Sequence, residues 1–267
     1  ACILCARRCG ADRTQGIRRA TCQMGAVAKV GAWGARTGNE AYLAGAGEIL
    51  FSGCNLRCLA CSTWQASWDG AGEEADGDAL AGMLLELQRR GHESVVLSSP
   101  SHVPAQILDG LWRAAERGFR LPLAWQTGGY DAMETLALLD GVIDLYLPDF
   151  KHGDAGAGRQ CAGVADYPVV AARTVAEMHR QAGSLRLGGG GIARRGLLVR
   201  HLVLPNGLAG SEAVFAALPK GCAVHVMDGY RPMHRANRAP KLNRRPSADE
   251  VAAARAAAEA AGLRLIG

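Results

Sequence analysis

No apolar run in the chain approaches the ~20 residues that a membrane-spanning helix needs, which argues against a helical membrane protein. Aromatic residues are scarce, at 5%. A signal-like apolar leader is also missing. Nine cysteines without an export signal read as reduced, intracellular metal ligands and predict a cytoplasmic protein. The chain begins at Ala1 rather than Met, which reads as a trimmed or processed start. A net charge of +5 over 267 residues is mild: it permits an anionic substrate and gives no argument for nucleic acid. That length is enough for one large domain with a sizeable core.

What is present gathers around the cysteines. Cys54, Cys58 and Cys61 stand in the run Phe51-Ser-Gly-Cys-Asn-Leu-Arg-Cys-Leu-Ala-Cys-Ser62, directly after the short apolar run Glu48-Ile-Leu-Phe51. Three thiolates on one tight loop can hold three irons of a [4Fe–4S] cluster. No fourth cysteine follows at matching distance, so the fourth iron keeps a position open for a cofactor or substrate. A zinc knuckle or a disulfide pair is the competing use; zinc in closed structural sites takes four protein ligands, against three here. Cys2, Cys5, Cys9 and Cys22, spaced C-x2-C-x3-C-x12-C, form a second metal candidate, either a tetrahedral zinc site or an auxiliary iron–sulfur cluster. A structural clamp for a segment with little core is the plainer reading.

Residues 1–47 are rich in Cys, Arg and Gly, show no helical period and read as a Cys-rich, metal-organised extension. From residue 48 to 267 a β/α alternation sets in. Strand-like runs recur at Ile49–Ser52, Ser94–Ser98, Leu121–Gln126, Val142–Leu147, Leu197–Leu204 and Cys222–Met227, with a last one at Leu263–Ile266. Amphipathic stretches separate them; Leu80, Met83, Leu84 and Leu87 share one helical face, and Ser247 with Glu250 spells a capping box. Six strand–helix repeats predict an α/β fold with a parallel sheet, closing as a partial (β/α)6 TIM-like barrel; a flavodoxin-like open sheet is the alternative. Each distinctive segment follows a strand, which predicts one shared active face: the cysteine loop, Ser99-Pro-Ser-His102, Thr127-Gly-Gly-Tyr130, Pro148-Asp-Phe-Lys151, Pro205-Asn-Gly207 and Asp228-Gly-Tyr-Arg-Pro232.

The C-x3-C-x2-C loop after the first strand of a β/α chain resembles the radical S-adenosylmethionine (SAM) superfamily. A narrower resemblance covers nearly the whole chain. Cys2-x2-Cys5-x3-Cys9-Gly, Arg13, Gly16, Cys22, the cluster loop, Tyr146-Leu-Pro-Asp-Phe-Lys151, Asp166-Tyr-Pro168, the run Gly191–Pro205 and Tyr230-Arg-Pro232 are similar to homologues of pyruvate formate-lyase activating enzyme. The resemblance implies a [4Fe–4S] cluster with SAM on its open iron, reductive cleavage of SAM to a 5′-deoxyadenosyl radical, hydrogen abstraction from substrate, and a flavodoxin- or ferredoxin-type electron donor. Two departures are visible. Ala60 replaces the aromatic residue common before the third cysteine, and the Gly-Gly-Glu pattern is absent where Ser99, Ser101 and His102 stand.

By the same resemblance, Ser99, Ser101, His102, Thr127, Asp149, Lys151 and Arg200 are candidate SAM contacts. Lys151 would meet the carboxylate, and Asp149 the ribose or a positioning contact. Arg200 and His201 are neighbours on one strand, so only one can face a barrel interior. Cys161, in a Gly-rich loop after Lys151, is a candidate hydrogen-atom donor, while Cys222 reads as buried packing. Trp64 and Trp68, four residues apart, would share a helical face and could form a platform for the C–H face of a sugar, or pack as core or lid. Tyr230, Arg231 and His234 would line the same mouth.

Three functions follow. The first is a radical SAM epimerase acting on a small molecule, most concretely a sugar-containing natural product, as in the radical SAM epimerases of oligosaccharide-antibiotic pathways of the avilamycin type. The second is an activating enzyme for a glycyl radical enzyme. The third is a non-catalytic iron–sulfur or zinc redox protein. None calls for nucleic acid or a membrane.

Overall fold

The computed structural model describes residues 1–267 except Arg18, Arg19 and Asn39. Among the described residues ten strands occur in chain order: β1 (Ala28–Ala35), β2 (Gly47–Phe51), β3 (Glu73–Ala75), β4 (Val95–Ser98), β5 (Leu123–Thr127), β6 (Leu145–Pro148), β7 (Arg186–Leu187), β8 (Ala193–Leu202), β9 (Ala223–Met227) and β10 (Arg264–Leu265). Their order in the sheet is β10-β9-β8-β6-β5-β4-β2-β1-β3, with β7 paired to β8 at the side. From β2 to β10 every pairing along the sheet is parallel. The strands follow one another in chain order without the reversal that defines a doubly wound sheet. This is the expected partial barrel rather than the flavodoxin-like layout, and it stays open, ending at β10 and β3.

The helices form where the apolar period and the caps call for them. Helix Gly77–Arg89 starts on the Asp76 side chain, which accepts from Ala79 N–H, and buries Leu80, Leu84 and Leu87. Helix Pro104–Glu116 opens on proline, whose missing N–H costs nothing in a first turn. Helix Ala248–Ala260 carries the full capping box: Glu250 N–H donates to Ser247 Oγ and Ser247 N–H to Glu250 Oε2. Along the strands, alternation sends Val95, Leu97, Trp125, Tyr146 and Val199 outward into the core under the helices. Val96, Ala124, Leu147 and Leu198 point inward.

The first 47 residues hold more than a metal-organised extension. β1 runs antiparallel to β2 and to β3, so part of this segment is an edge of the main sheet. The turn after β1 then drops Tyr42, Leu43 and Ala46 against the inward side chains of the barrel, where they close its lower end. In β1, Gly31 is required because its neighbours come close. A Cβ on Gly31 would lie 2.9 Å from Ala66 Cβ and 3.0 Å from Ser52 Oγ.

Candidate active site

The upper ends of the strands surround a cavity of about 550 Å³. Cys54, Cys58 and Cys61 all reach its wall, as do Ser99, Thr127, Asp149, Lys151, Arg200, Cys161 and Tyr230 from the sequence-derived set. The cysteine loop is held from several sides. Asn55 Nδ2 donates to Tyr130 O at 2.6 Å and Arg7 Nε to Asn55 O at 2.7 Å. Trp68 Nε1 donates to Cys58 O, and the backbone N–H groups of Arg57 and Leu59 donate to the carbonyls of Ala162 and Cys161. A loop fixed this way can present thiols in one geometry instead of many.

Gly53, just before Cys54, has φ +76°, and a Cβ there would stand 2.3 Å from Cys22 O and 2.9 Å from Met24 Cγ. Gly53→Ala is therefore expected to destabilise the protein by at least ~2 kcal/mol, from a strained φ and a backbone clash together. Urea unfolding measures it; an unchanged midpoint would mean that the N-terminal segment does not pack where described.

Cys54 and Cys58 are half-exposed as residues, yet their sulfurs are enclosed by the cavity walls. That desolvation raises both thiols, Cys58 to about 12. Lys151 works in the opposite direction on Cys58, and Leu56 N–H, 3.4 Å from Cys54 Sγ, on Cys54. Among the described residues no three His, Cys, Asp or Glu side chains converge as ligands of one metal ion do. A cubane does not ask for that convergence, because each of its three thiolates binds a separate iron. The soft donor set, the fixed loop and the cavity beside it suit such a cluster.

Beside the cysteines, Lys151 Nζ lies 2.6 Å from Asp149 Oδ2. Burial opposes the Lys151 charge, but Asp149 and Cys58 outweigh it and the amine is raised. Burial likewise opposes the Asp149 charge, but Lys151 and then Arg200 outweigh it and hold the carboxyl low. Tyr167 clamps the two loops that carry these groups. Its hydroxyl accepts from Lys151 N–H at 2.9 Å and lies 2.8 Å from the carbonyl oxygens of Gly128 and Asp149, either of which takes its proton. Gly129, at φ +73°, permits this approach; a Cβ there would sit 2.4 Å from Asp149 O. Of the neighbours Arg200 and His201, the arginine faces the cavity. His201 is fully buried behind it, between Phe150 O and Ser211 Oγ.

Several expected contacts lie elsewhere. Ser101 is buried and bonded to Thr127 Oγ1 at 2.7 Å, and Thr127 donates onward to Asp131 Oδ2 at 2.6 Å. Both hydroxyls are thus committed to a buried carboxyl, although Thr127 still reaches the wall. His102 is buried outside the cavity, with Nε2 2.7 Å from Ser52 O; burial pushes it down to about 4. Trp64 and Trp68 do share a face, but the cavity wall includes neither. Trp64 stacks on His234 at 5.3 Å, and Trp68 is covered by His234, Arg57 and Arg235. Both rings therefore stand outside the cavity, with Trp68 covered and one face of Trp64 taken by His234, which leaves no platform for a sugar on the cavity wall itself. Arg231 is exposed and away from the wall, whereas Tyr230 is buried and donates to Leu242 O at 2.8 Å.

Cys161 is buried on a wide helical turn, Gly158–Ala162, and burial pushes its thiol up to about 11. Cys222 packs in the core, as its place at a strand start predicts. Cys2, Cys5, Cys9 and Cys22 lie within electrostatic reach of one another. Cys5 is raised to about 12, mainly by burial and further by the other three thiols. Sequence reasoning missed Glu48, Gln126 and His152, which also line the cavity. Glu48 and Gln126 alternate inward from strands whose outward residues drew the attention. His152, next to Lys151, is buried and pushed down to about 3 by desolvation and then by Lys151, so it is a neutral imidazole.

This open parallel sheet with thiols at its upper rim is the partial-barrel fold of radical SAM enzymes. A radical SAM methyltransferase from Sphaerobacter thermophilus superposes with a TM-score of 0.52 at 13% identity, over 82% of this chain and 65% of that one. In sequence, an uncharacterized protein of Methanocaldococcus jannaschii is 28% identical over 239 residues, 86% of this chain and 66% of its own. The chain spans just under two thirds of the length of each. No protein-family model matches it.

Proposed function

We propose that this chain is a radical SAM enzyme of the epimerase type. In this reading Cys54, Cys58 and Cys61 bind a [4Fe–4S] cluster, with Lys151 and Asp149 as polar contacts of SAM on its open iron. Ser99 and Arg200 stand nearby on the same wall. When bound, the cluster and SAM supply a radical that removes a hydrogen atom from a substrate carbon. The cavity walls exclude water from that radical, and Cys161 returns a hydrogen atom to the opposite face. In that step the S–H bond breaks, a C–H bond forms with inverted configuration, and a thiyl radical remains. One electron from a flavodoxin- or ferredoxin-type donor and one proton restore the thiol. The substrate proposed is a sugar-containing natural product.

The observation that carries this reading is the position of Cys161. Cys161 stands in the wall of the cavity that the three cysteines line, and its carbonyl accepts from the Leu59 N–H of the cysteine loop. The N-terminal quartet is proposed as a second metal centre in the Cys-rich segment before β1, since β1 and the residues after it already belong to the barrel. Iron beyond that of one cluster would show it; the thiols are not arranged for the single zinc ion that the spacing also allowed, since among the described residues no three ligands converge on one point.

Turnover in D2O tests the epimerase. The thiol exchanges with solvent, so the reduced, SAM-loaded protein acting on a hexose-bearing oligosaccharide should place deuterium at the inverted carbon. Inverted product carrying only protium there would sink the thiol-donor scheme.

A further inference from the structure

Between Asp228 and Asp249 the chain holds no acid, while residues 231–245 carry six cations: Arg231, Arg235, Arg238, Lys241, Arg244 and Arg245. Those six exceed the net charge of +5 of the whole chain, so the remainder is close to neutral. Of the six, only Arg244 has a carboxylate partner among the described residues, Glu250 at 2.7 Å. A three-residue period orders the segment. It contains two 3₁₀ turns, Ala236–Arg238 and Pro240–Leu242, and in such turns every third side chain falls in line. Ala236, Ala239 and Leu242 are buried and pack in the apolar cluster that includes Cys161. Arg238, Lys241 and Arg244 take exposed positions, about 6 Å apart along the segment.

The buried series accounts for the seating of the segment, and any polar residue could fill the outer positions. Like charges gathered there repel one another, so the fold gains nothing from them. Their position distinguishes them. Leu242 of the same segment lines the chamber, and Arg235 N–H donates to Leu59 O of the cysteine loop at 2.9 Å. The Arg235 guanidinium lies 4.3 Å over the Trp68 ring, and that of Arg57, from the loop itself, 4.9 Å. Trp68 Nε1 donates in turn to Cys58 O at 3.1 Å. Around His234, Arg235 and Arg238 stand against one acid, Asp69. The cysteine loop thus faces the chamber on one side and carries cations on the other.

We infer that this outer row, with Arg57, is the docking surface of an acidic electron-carrier protein. The inference rests on the proposed function, which needs an electron, and it assigns where the carrier binds. With cofactor and substrate filling the chamber, the electron has to arrive from the other side of the loop. The carrier loses one electron and the metal centre on the cysteines gains it; no bond forms or breaks. Cations spread along a line suit an extended anionic surface rather than a small anion. Single-stranded nucleic acid is also an extended anion, but its bases stack on open aromatic rings. Here Trp68 is covered by His234, Arg57 and Arg235, and one face of Trp64 is taken by His234.

Anaerobic biolayer interferometry on the reconstituted protein tests this, with an oxidised acidic flavodoxin and an oxidised acidic ferredoxin as probes. The pair Arg238→Glu and Lys241→Glu reverses two exposed charges of the row. The tighter-binding probe should lose affinity by about tenfold or more in this double variant, and its wild-type binding should weaken as salt rises from ~50 to ~300 mM. Arg186→Glu with Lys220→Glu makes the same change of net charge on exposed residues at the lower end of the barrel. That control should cost less than about twofold, because screened charges act over about one Debye length. Arg231→Glu with Arg245→Glu replaces the row variant if it fails to fold. Binding of neither carrier, an equal loss in the control, or tighter binding of a single-stranded oligouridylate than of the carriers overturns the inference. SAM cleavage driven by dithionite, a small reductant that needs no docking surface, is measured in parallel. Its absence in the wild type overturns the radical reading whatever the carriers do, whereas cleavage alongside carrier binding that ignores the row overturns the docking surface alone.

Discussion

Replacing any one of Cys54, Cys58 or Cys61 with alanine is expected to reduce reductive SAM cleavage by ~10⁴-fold or more, the scale of removing an indispensable catalytic member. Each thiolate would hold its own iron, so no neighbour can substitute for a missing one. The nearest spare thiols are already placed: Cys161 is tied into its own turn, and Cys22 is buried on the far side of Gly53. The loss should show first as reduced visible iron–sulfur absorption and only then as missing 5′-deoxyadenosine. Cys222→Ala, in the core and remote from the cavity, should keep both signals. Full absorption in a triplet variant would remove these cysteines as cluster ligands. Because Cys54 and Cys58 are raised by burial, metal uptake must expel their protons, and cluster assembly should weaken as pH falls.

The triplet was legible because its chemistry is local, with the spacing, the preceding strand and the open loop all in one short stretch. The strands from residue 48 onward were legible because each is an apolar run that ends in a turn-forming motif. β1 was not. Its sequence, Ala28-Lys-Val-Gly-Ala-Trp-Gly-Ala35, hides the apolar alternation behind small residues, of which Gly31 is required by close packing against Ala66 and Ser52. The buried ion pairs were hidden for another reason: Arg36 meets Glu48 across the β1–β2 hairpin, but Asp149 and Arg200 come from far along the chain, and only the wound sheet brings them alongside. For Trp64 and Trp68 the periodicity gave the right shared face but could not say what lay opposite. That partner is His234 and Arg235 on a loop near the other end of the chain, tied to the cysteine loop by Arg235 N–H donating to Leu59 O.

Cys161→Ala should separate the two halves of the proposed reaction. 5′-Deoxyadenosine should still form, because the substituted residue takes no part in holding the cluster, while inverted product falls by ~10²-fold or more, the scale of losing a positioned hydrogen donor. The environment favours the form that such a donor needs. An ordinary thiol with a value of 9.0 is half ionised at pH 9, and a thiolate carries no hydrogen to give. Burial, which raises Cys161 to about 11, keeps the S–H bond intact there. The fraction of SAM cleavage that ends in inversion should therefore stay level between pH 7 and pH 9 instead of halving. Cys161→Ser keeps the side chain's size and should behave like alanine, since an O–H bond is too strong to surrender its hydrogen to a carbon radical. That comparison distinguishes hydrogen donation from packing in the cluster formed with Leu204, Tyr230 and Leu242. If serine restored the inverted product, the thiol would be structural and the radical would be quenched elsewhere. A stable glycyl radical on a partner protein, with Cys161 dispensable, would move the assignment to the activating enzymes.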